Sequence, residues 1–124
     1  ALIKDGWVIT ADPFQLRFKD MNLTADLRAE KLLLARRQNQ QIIVEIKSFL
    51  GKSFAKEFQL ALGQYQVYAS LMEAQQLPDQ LYLAISDYTY RQHFQGAVAM
   101  IIERYQLHLL VVDIDNEEVV QWLD

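Results

Sequence analysis

The stretch Gln41-Ile42-Ile43-Val44-Glu45-Ile46-Lys47 leaves this chain few choices of fold. From Ile42 to Ile46 every residue but Glu45 is an aliphatic β-branched one, a composition that predicts a buried β-strand. Side chains alternate along a strand, so Ile42, Val44 and Ile46 share one face, and Ile43, Glu45 and Lys47 share the other. Glu45 and Lys47 then stand about 6.5–7 Å apart along the strand. Burying a carboxylate or an ammonium costs several kcal/mol unless the charge is paired or holds an ion. Stability alone gives such a strand little reason to carry both, so this pair is the first place to look for chemistry.

The rest of the chain supplies the layers that would bury the strand. Trp7 to Thr10 reads as a short first strand ended by Asp12-Pro13. Phe14–Phe18 and Leu23–Leu27 alternate apolar with polar residues, with Lys19 to Asn22 as the turn between them. Leu32 to Ala35 is a further apolar run, and Arg36 to Gln40 a polar reversal into the Glu45 strand, which completes an antiparallel meander. A long helix is expected from Ser53, a good N-cap, to Gln76, stopped by Leu77-Pro78. Phe54, Phe58, Ala61, Tyr65, Ala69 and Met72 fall at helical spacing and form its core face. Leu81 to Ile85 is a strand, Tyr88 to Tyr105 a helical stretch broken near Gly96, and Leu107 to Val112 a last strong strand. Asp113 to Glu118 is turn-like, and Val119 to Leu123 adds an edge. This order predicts an α/β fold (α+β by some schemes) with a mixed central sheet flanked by helices.

With 124 residues, 52% of them hydrophobic, the chain suits one domain, residues 1–124, with a substantial core. It contains no apolar run of membrane-spanning length. The absence of cysteine removes disulfides, thiolate metal sites and cysteine nucleophiles, and fits a reducing cytoplasm. A net charge of −4 argues against gripping a nucleic acid by overall charge, though not against local patches. Ala1-Leu2-Ile3-Lys4 reads as the last turn of a helix ending at Asp5-Gly6, which suggests that part of an N-terminal helix is missing.

Asp26 is the second carboxylate of interest, because Thr24 and Asp26 occupy the polar face of the expected Leu23–Leu27 strand. If that strand neighbours the Glu45 strand, Asp26, Glu45 and Lys47 converge. Two carboxylates and the backbone carbonyl of Ile46 would form an all-oxygen site suited to Mg²⁺ or Mn²⁺. Lys47 could then orient an attacking water and stabilise developing charge, the logic of metal-assisted phosphodiester hydrolysis. Glu-x-Lys is a short pattern, met by chance in roughly every second or third chain of this length at average residue usage. Spacing alone leaves open an exposed cross-strand charge pair of little energetic weight.

The order Asp26, then Glu45-Ile46-Lys47, then a helix resembles the PD-(D/E)xK restriction-endonuclease-like superfamily. Several longer segments are similar to the cyanobacterial fdxN-element excision controlling factor (XisH) family. They are Ala1-Leu2-Ile3-Lys4-Asp5-Gly6-Trp7, Ala29-Glu30-Lys31-Leu32, Val44 to Gly51, Leu60-Ala61-Leu62-Gly63-Gln64-Tyr65 and Ile102 to Leu107. The resemblance spans essentially the whole chain. It implies a restriction-endonuclease-like core and a role in excising a DNA element during heterocyst differentiation. It further implies a XisI-type companion protein and a site-specific recombinase acting on DNA. By position, Asp26 and Glu45 match the superfamily's metal carboxylates and Lys47 its lysine, while Gln64 and Tyr68 resemble a Gln-x-x-x-Tyr motif of some nuclease branches. Asp26 lacks the preceding proline of the superfamily's name. The alternative reading is a non-catalytic accessory module that binds a partner or DNA and leaves the chemistry to the recombinase.

Other residues carry weaker expectations. Glu30 shares parity with Asp26 and could supply a third acid or simply end a strand. Ser48 and Lys52 could touch phosphate or belong to the loop before the helix. Gly63 is expected to permit close packing of the helix on the sheet. Arg36-Arg37 reads as a solvated hairpin tip, and His93 and His108 lack metal-ligand spacing. Val119, Val120 and Trp122 on the last strand allow a homodimer.

Overall fold

A computed structural model describes residues 1–18, 21–23 and 30–124. Its elements are β1 (Val8–Ala11), β2 (Leu16–Phe18), β3 (Met21–Leu23), β4 (Glu30–Arg37), β5 (Gln40–Lys47), α1 (Phe54–Ala74), β6 (Gln80–Ser86), α2 (Asp87–His93), α3 (Ala97–Arg104), β7 (Leu109–Asp113) and β8 (Glu118–Leu123). Six strands form one sheet in the order β1-β4-β5-β6-β7-β8. β5, β6 and β7 run parallel, joined by helical crossovers, while β1, β4 and β8 pair antiparallel. This is the mixed α/β sheet expected.

The meander is only partly continuous. β2 and β3 pair with each other and form a separate two-stranded ribbon. Their turn lies earlier than the alternation suggested, because Met21 and Asn22 already belong to β3. The ribbon packs on α1, and Leu16 is buried there among the helix's core residues. A short alternating run fits such a covering flap as well as a sheet strand, since either needs only one apolar face.

β5 is a strand because its β-branched residues fill both faces of an interior position. Ile42, Ile43 and Val44 are all fully buried, and each such side chain contributes roughly 1.5–3 kcal/mol when taken out of water. The faces divide as alternation requires. Ile43 joins Leu32, Leu83, Ile85, Leu109 and Val111 beneath α1. Ile42 and Val44 join Leu33, Ala35, Ala84 and Leu110 on the opposite face.

Ser53 caps α1, its hydroxyl accepting the Lys56 N–H at 3.3 Å, and Glu57 reaches back to the Gly51 N–H at 2.8 Å. The helix buries Phe58, Ala61, Tyr65, Tyr68, Leu71 and Met72. Phe54 and Ala69 are only partly buried, and Tyr68 and Leu71 complete the stripe. Gly63 contradicts expectation: nothing lies within 4 Å of where its Cβ would sit, so it allows no close approach. Gly96 does break the second helical stretch, with φ +58° and ψ −123° between α2 and α3. Such a backbone conformation favours glycine.

Residues 1–5 form a turn closed as helix C-termini commonly are. The Asp5 N–H bonds Ala1 O (3.2 Å), the Gly6 N–H bonds Ile3 O (3.0 Å), and the Trp7 N–H bonds Leu2 O (3.0 Å). Gly6 has φ +89°, and Leu2 and Trp7 are both buried on the sheet face away from α1. Arg37 is a structural residue rather than a solvated tip. It donates to the Asp5 carboxylate at 3.0 Å and lies 4.6 Å from the Trp7 ring centroid.

Candidate functional site

Glu45 occupies the sheet interior. Register places it between Leu32 of β4 and Leu83 of β6, both fully or almost fully buried. Its own exposure is 0%, and it is the one buried charged side chain among the described residues. It points to the α1 face, two residues beyond Ile43 and two before Lys47. Lys47 ends β5 half-buried on the same side, and register sets Glu30 opposite it on β4. The acid–lysine alternation predicted for this strand is therefore present, with the acid deep in the sheet and the lysine at its mouth.

α1 covers the sheet face to which Glu45 points. The Gln64 side-chain oxygen is shielded from solvent and has no hydrogen-bond partner among the described residues. Tyr65, one residue on, is 4% exposed. Its hydroxyl donates to Leu81 O at 2.8 Å and accepts the His108 N–H at 3.2 Å, tying α1 to the starts of β6 and β7. Burial pushes the Tyr65 phenol up to about 12; the bond from His108 opposes this and the nearby Glu45 charge reinforces it. Sequence reasoning assigned Tyr65 to packing alone, and only its helical spacing was legible. Its backbone partners belong to elements that come later in the chain.

The other expected site residues divide. Tyr68 is buried in the α1 core. Ser48 is half-buried just beyond Lys47. Asp26 lies outside the described residues. Ile46 pairs with Lys31 on one side and Ala84 on the other, so β5 is an interior strand at that point.

A hard divalent cation takes oxygen ligands and commonly one or two carboxylates. The described residues bring a single carboxylate to this spot, Glu45, and none of them gather as a group of three or more His, Cys, Asp or Glu able to hold a metal. Taken alone they do not complete a metal centre.

Together these features define a class: an α/β protein whose central parallel strand carries a buried acid and a lysine on the face covered by the following helix. The family model described as "XisH protein" matches residues 1–120, and the chain belongs to the XisH family. It is similar to the solved fdxN element excision controlling factor protein from Anabaena variabilis. That match has 40% identity and a TM-score of 0.90, and spans 100% of this chain and 92% of that one. An XisH family protein from Nostoc punctiforme matches with 36% identity and a TM-score of 0.90, over 100% of this chain and 93% of that one. No curated protein matches the chain. Among the described residues, no helix is long and apolar enough to cross a membrane.

Proposed function

We propose that this chain is a DNA-element excision controlling factor, as its Anabaena variabilis relative is described. We further propose that the Glu45–Lys47 end of β5 is a nuclease-type site of the restriction-endonuclease-like kind. The observation that carries this is the complete burial of Glu45 on a face otherwise built from Ile43, Leu32 and Leu83, with Lys47 following at the strand's mouth. A carboxylate taken out of water is costly unless it is paired or holds an ion, and buried acids in such surroundings concentrate at functional sites. Glu45 and Asp26 would hold a Mg²⁺ or Mn²⁺ ion, which when bound activates water for phosphodiester hydrolysis. Lys47 orients the water and stabilises charge, and Gln64 contributes its side-chain amide. In this reading the protein works in the cytoplasm on a DNA element, beside a XisI-type companion protein and a site-specific recombinase.

The zero exposure of Glu45 favours a second reading, in which the fold serves as a non-catalytic module and the recombinase does the chemistry. Nicking of supercoiled plasmid separates the two. The nuclease reading expects Mg²⁺- or Mn²⁺-dependent nicking that Glu45→Gln and Lys47→Ala each reduce by a hundredfold or more, on the order of the loss when a transition-state charge stabiliser is removed. Unchanged DNA from the folded wild type, alone and with the companion protein, rejects it.

A further inference from the structure

We propose that His93, stacked outward on Phe54 and Phe58, is a platform for an unpaired nucleobase, so that the protein takes DNA with a single-stranded stretch beside the Glu45–Lys47 end of β5. The proposal rests on the reading of the chain as one that acts on DNA.

Three rings climb from the core to the surface. Phe58 is 5% exposed and belongs to the core on the α1 side of the sheet. Phe54, one helical turn earlier, is half-buried; its ring plane lies 15° from that of Phe58, with the centroids 5.8 Å apart. His93, the last residue of α2, lies flat on Phe54, with the centroids 4.2 Å apart and the planes 8° apart. The imidazole is exposed, and Phe54 is its one ring partner among the described residues. Stacking covers one face of a flat ring and leaves the other for a further ring. The column stands on the α1 side, whereas the Leu2–Trp7 turn packs on the opposite face of the sheet.

The platform is held from the side. Phe94, 2% exposed, meets Phe54 and Phe58 edge-on at 74° and 88°, which fixes both planes. Phe49 packs on Phe54 at 5.2 Å and on Phe94 at 5.7 Å. A surface ordered in advance loses little freedom on binding. Phe49 also sets the location: it follows Lys47 by two residues, at most about 7 Å along the chain, so the column stands beside the mouth of β5.

Chemistry selects the occupant. Every nucleobase offers a flat π-face, and stacking on aromatic side chains is how single strands are commonly held. In a duplex each base is already stacked on its neighbours, so only an unpaired or extruded base can lie on a side-chain ring. Charge favours a nucleotide over an aromatic residue of a protein. Lys52 and Lys56 are exposed at the start of α1, and Glu57, the acid of its first turn, accepts the Gly51 N–H at 2.8 Å. Lys52 is two residues from Phe54, close enough to serve a phosphate of the strand whose base rests on His93.

The test measures binding of the full-length protein to fluorescein-labelled oligothymidylate and to a duplex of equal length, by anisotropy without divalent metal. The single strand is expected to bind at least about tenfold more tightly, because a duplex must first give up a stacked base. His93→Ala should weaken single-strand binding by about fivefold or more, His93→Phe should retain it, and His93→Lys should not restore it. His93 is exposed, so these changes leave the buried rings in place. Equal or tighter binding of the duplex, wild-type binding by His93→Ala, or full rescue by His93→Lys overturns the proposal and leaves the DNA reading standing. Failure to bind either DNA overturns both. Single-strand binding that depends on the His93 ring, in a protein that nicks no plasmid, upholds the platform and rejects only the nuclease reading.

Discussion

Removing one oxygen from Tyr65 tests how α1 is fastened to the sheet. Tyr65→Phe keeps the buried ring and deletes a hydroxyl that donates to Leu81 O at 2.8 Å and accepts the His108 N–H at 3.2 Å. Each buried group left unpaired costs about 1–3 kcal/mol. Leu81 O keeps an acceptor bond from the Gln80 side chain at 3.3 Å, so the larger share falls on His108. A loss of about 2 kcal/mol is expected. For 124 residues the unfolding entropy is about 260 cal/mol/K, so the melting temperature should fall by roughly 8 °C. Alkaline pH supplies an independent check. The phenol titrates at about 12 in the folded protein and near 10 when unfolded, so its contribution is complete below pH 10 and lost as pH rises from 10 through 12. That two-unit shift corresponds to about 2–3 kcal/mol. Urea unfolding at pH 8 and again near pH 12 measures both quantities. The gap between wild type and variant should be about 2 kcal/mol at the lower pH and close to nothing at the upper. Tyr82, whose phenol is also raised, is present in both proteins and cancels in the difference. A gap below about 0.5 kcal/mol at pH 8, within the usual range of neutral surface changes, would refute this account of the α1 anchor.

Three further outcomes follow from the same structure. Glu45→Gln should lower the apparent pKa of Tyr65, because the Glu45 charge helps hold the phenol proton; ultraviolet difference titration of the tyrosines, with Tyr65→Phe to assign the signal, would show it. Gly63→Ala should stabilise the protein by about 0.5–1 kcal/mol, since the site is exposed, helical and open, whereas Gly96→Ala should destabilise it by about 1–3 kcal/mol through its φ of +58° alone; thermal melts that move both variants the same way would contradict the pair. Ser53→Ala should cost about 1 kcal/mol by freeing the Lys56 N–H, and Ser53→Asp should restore most of it in chemical denaturation.

Residues whose environment is local were legible, and those whose environment is built by distant strands were not. Ser53, Gly96 and the Asp5-Gly6 stop act through bonds or dihedrals within a few residues, so their roles follow from residue type and position. Parity also gave the two faces of β5, because alternation is a property of one strand. Gly63 was misread because its role depends on which side of α1 meets the sheet, and its neighbours at helical spacing left that side ambiguous by one residue. Arg37 was misread for a related reason: the Trp7 ring and the Asp5 carboxylate come to it from the far end of the chain. The same principle bears on Glu45. Its position on β5 was readable, but its complete burial depends on β4, β6 and α1 closing around it. The Gln64 oxygen, shielded and without a partner among the described residues, and the anchored hydroxyl of Tyr65 were equally hidden, for they depend on where α1 lies against strands that come before and after it. Glu45 is fully buried, so its reaching solvent or a ligand requires some element packed around it to move. The Tyr65 clasp to β6 and β7 is one described contact that holds α1 against the sheet. Loosening it should therefore raise access to Glu45 before it unfolds the sheet, and hydrogen exchange of the α1 amides in Tyr65→Phe would separate the two events.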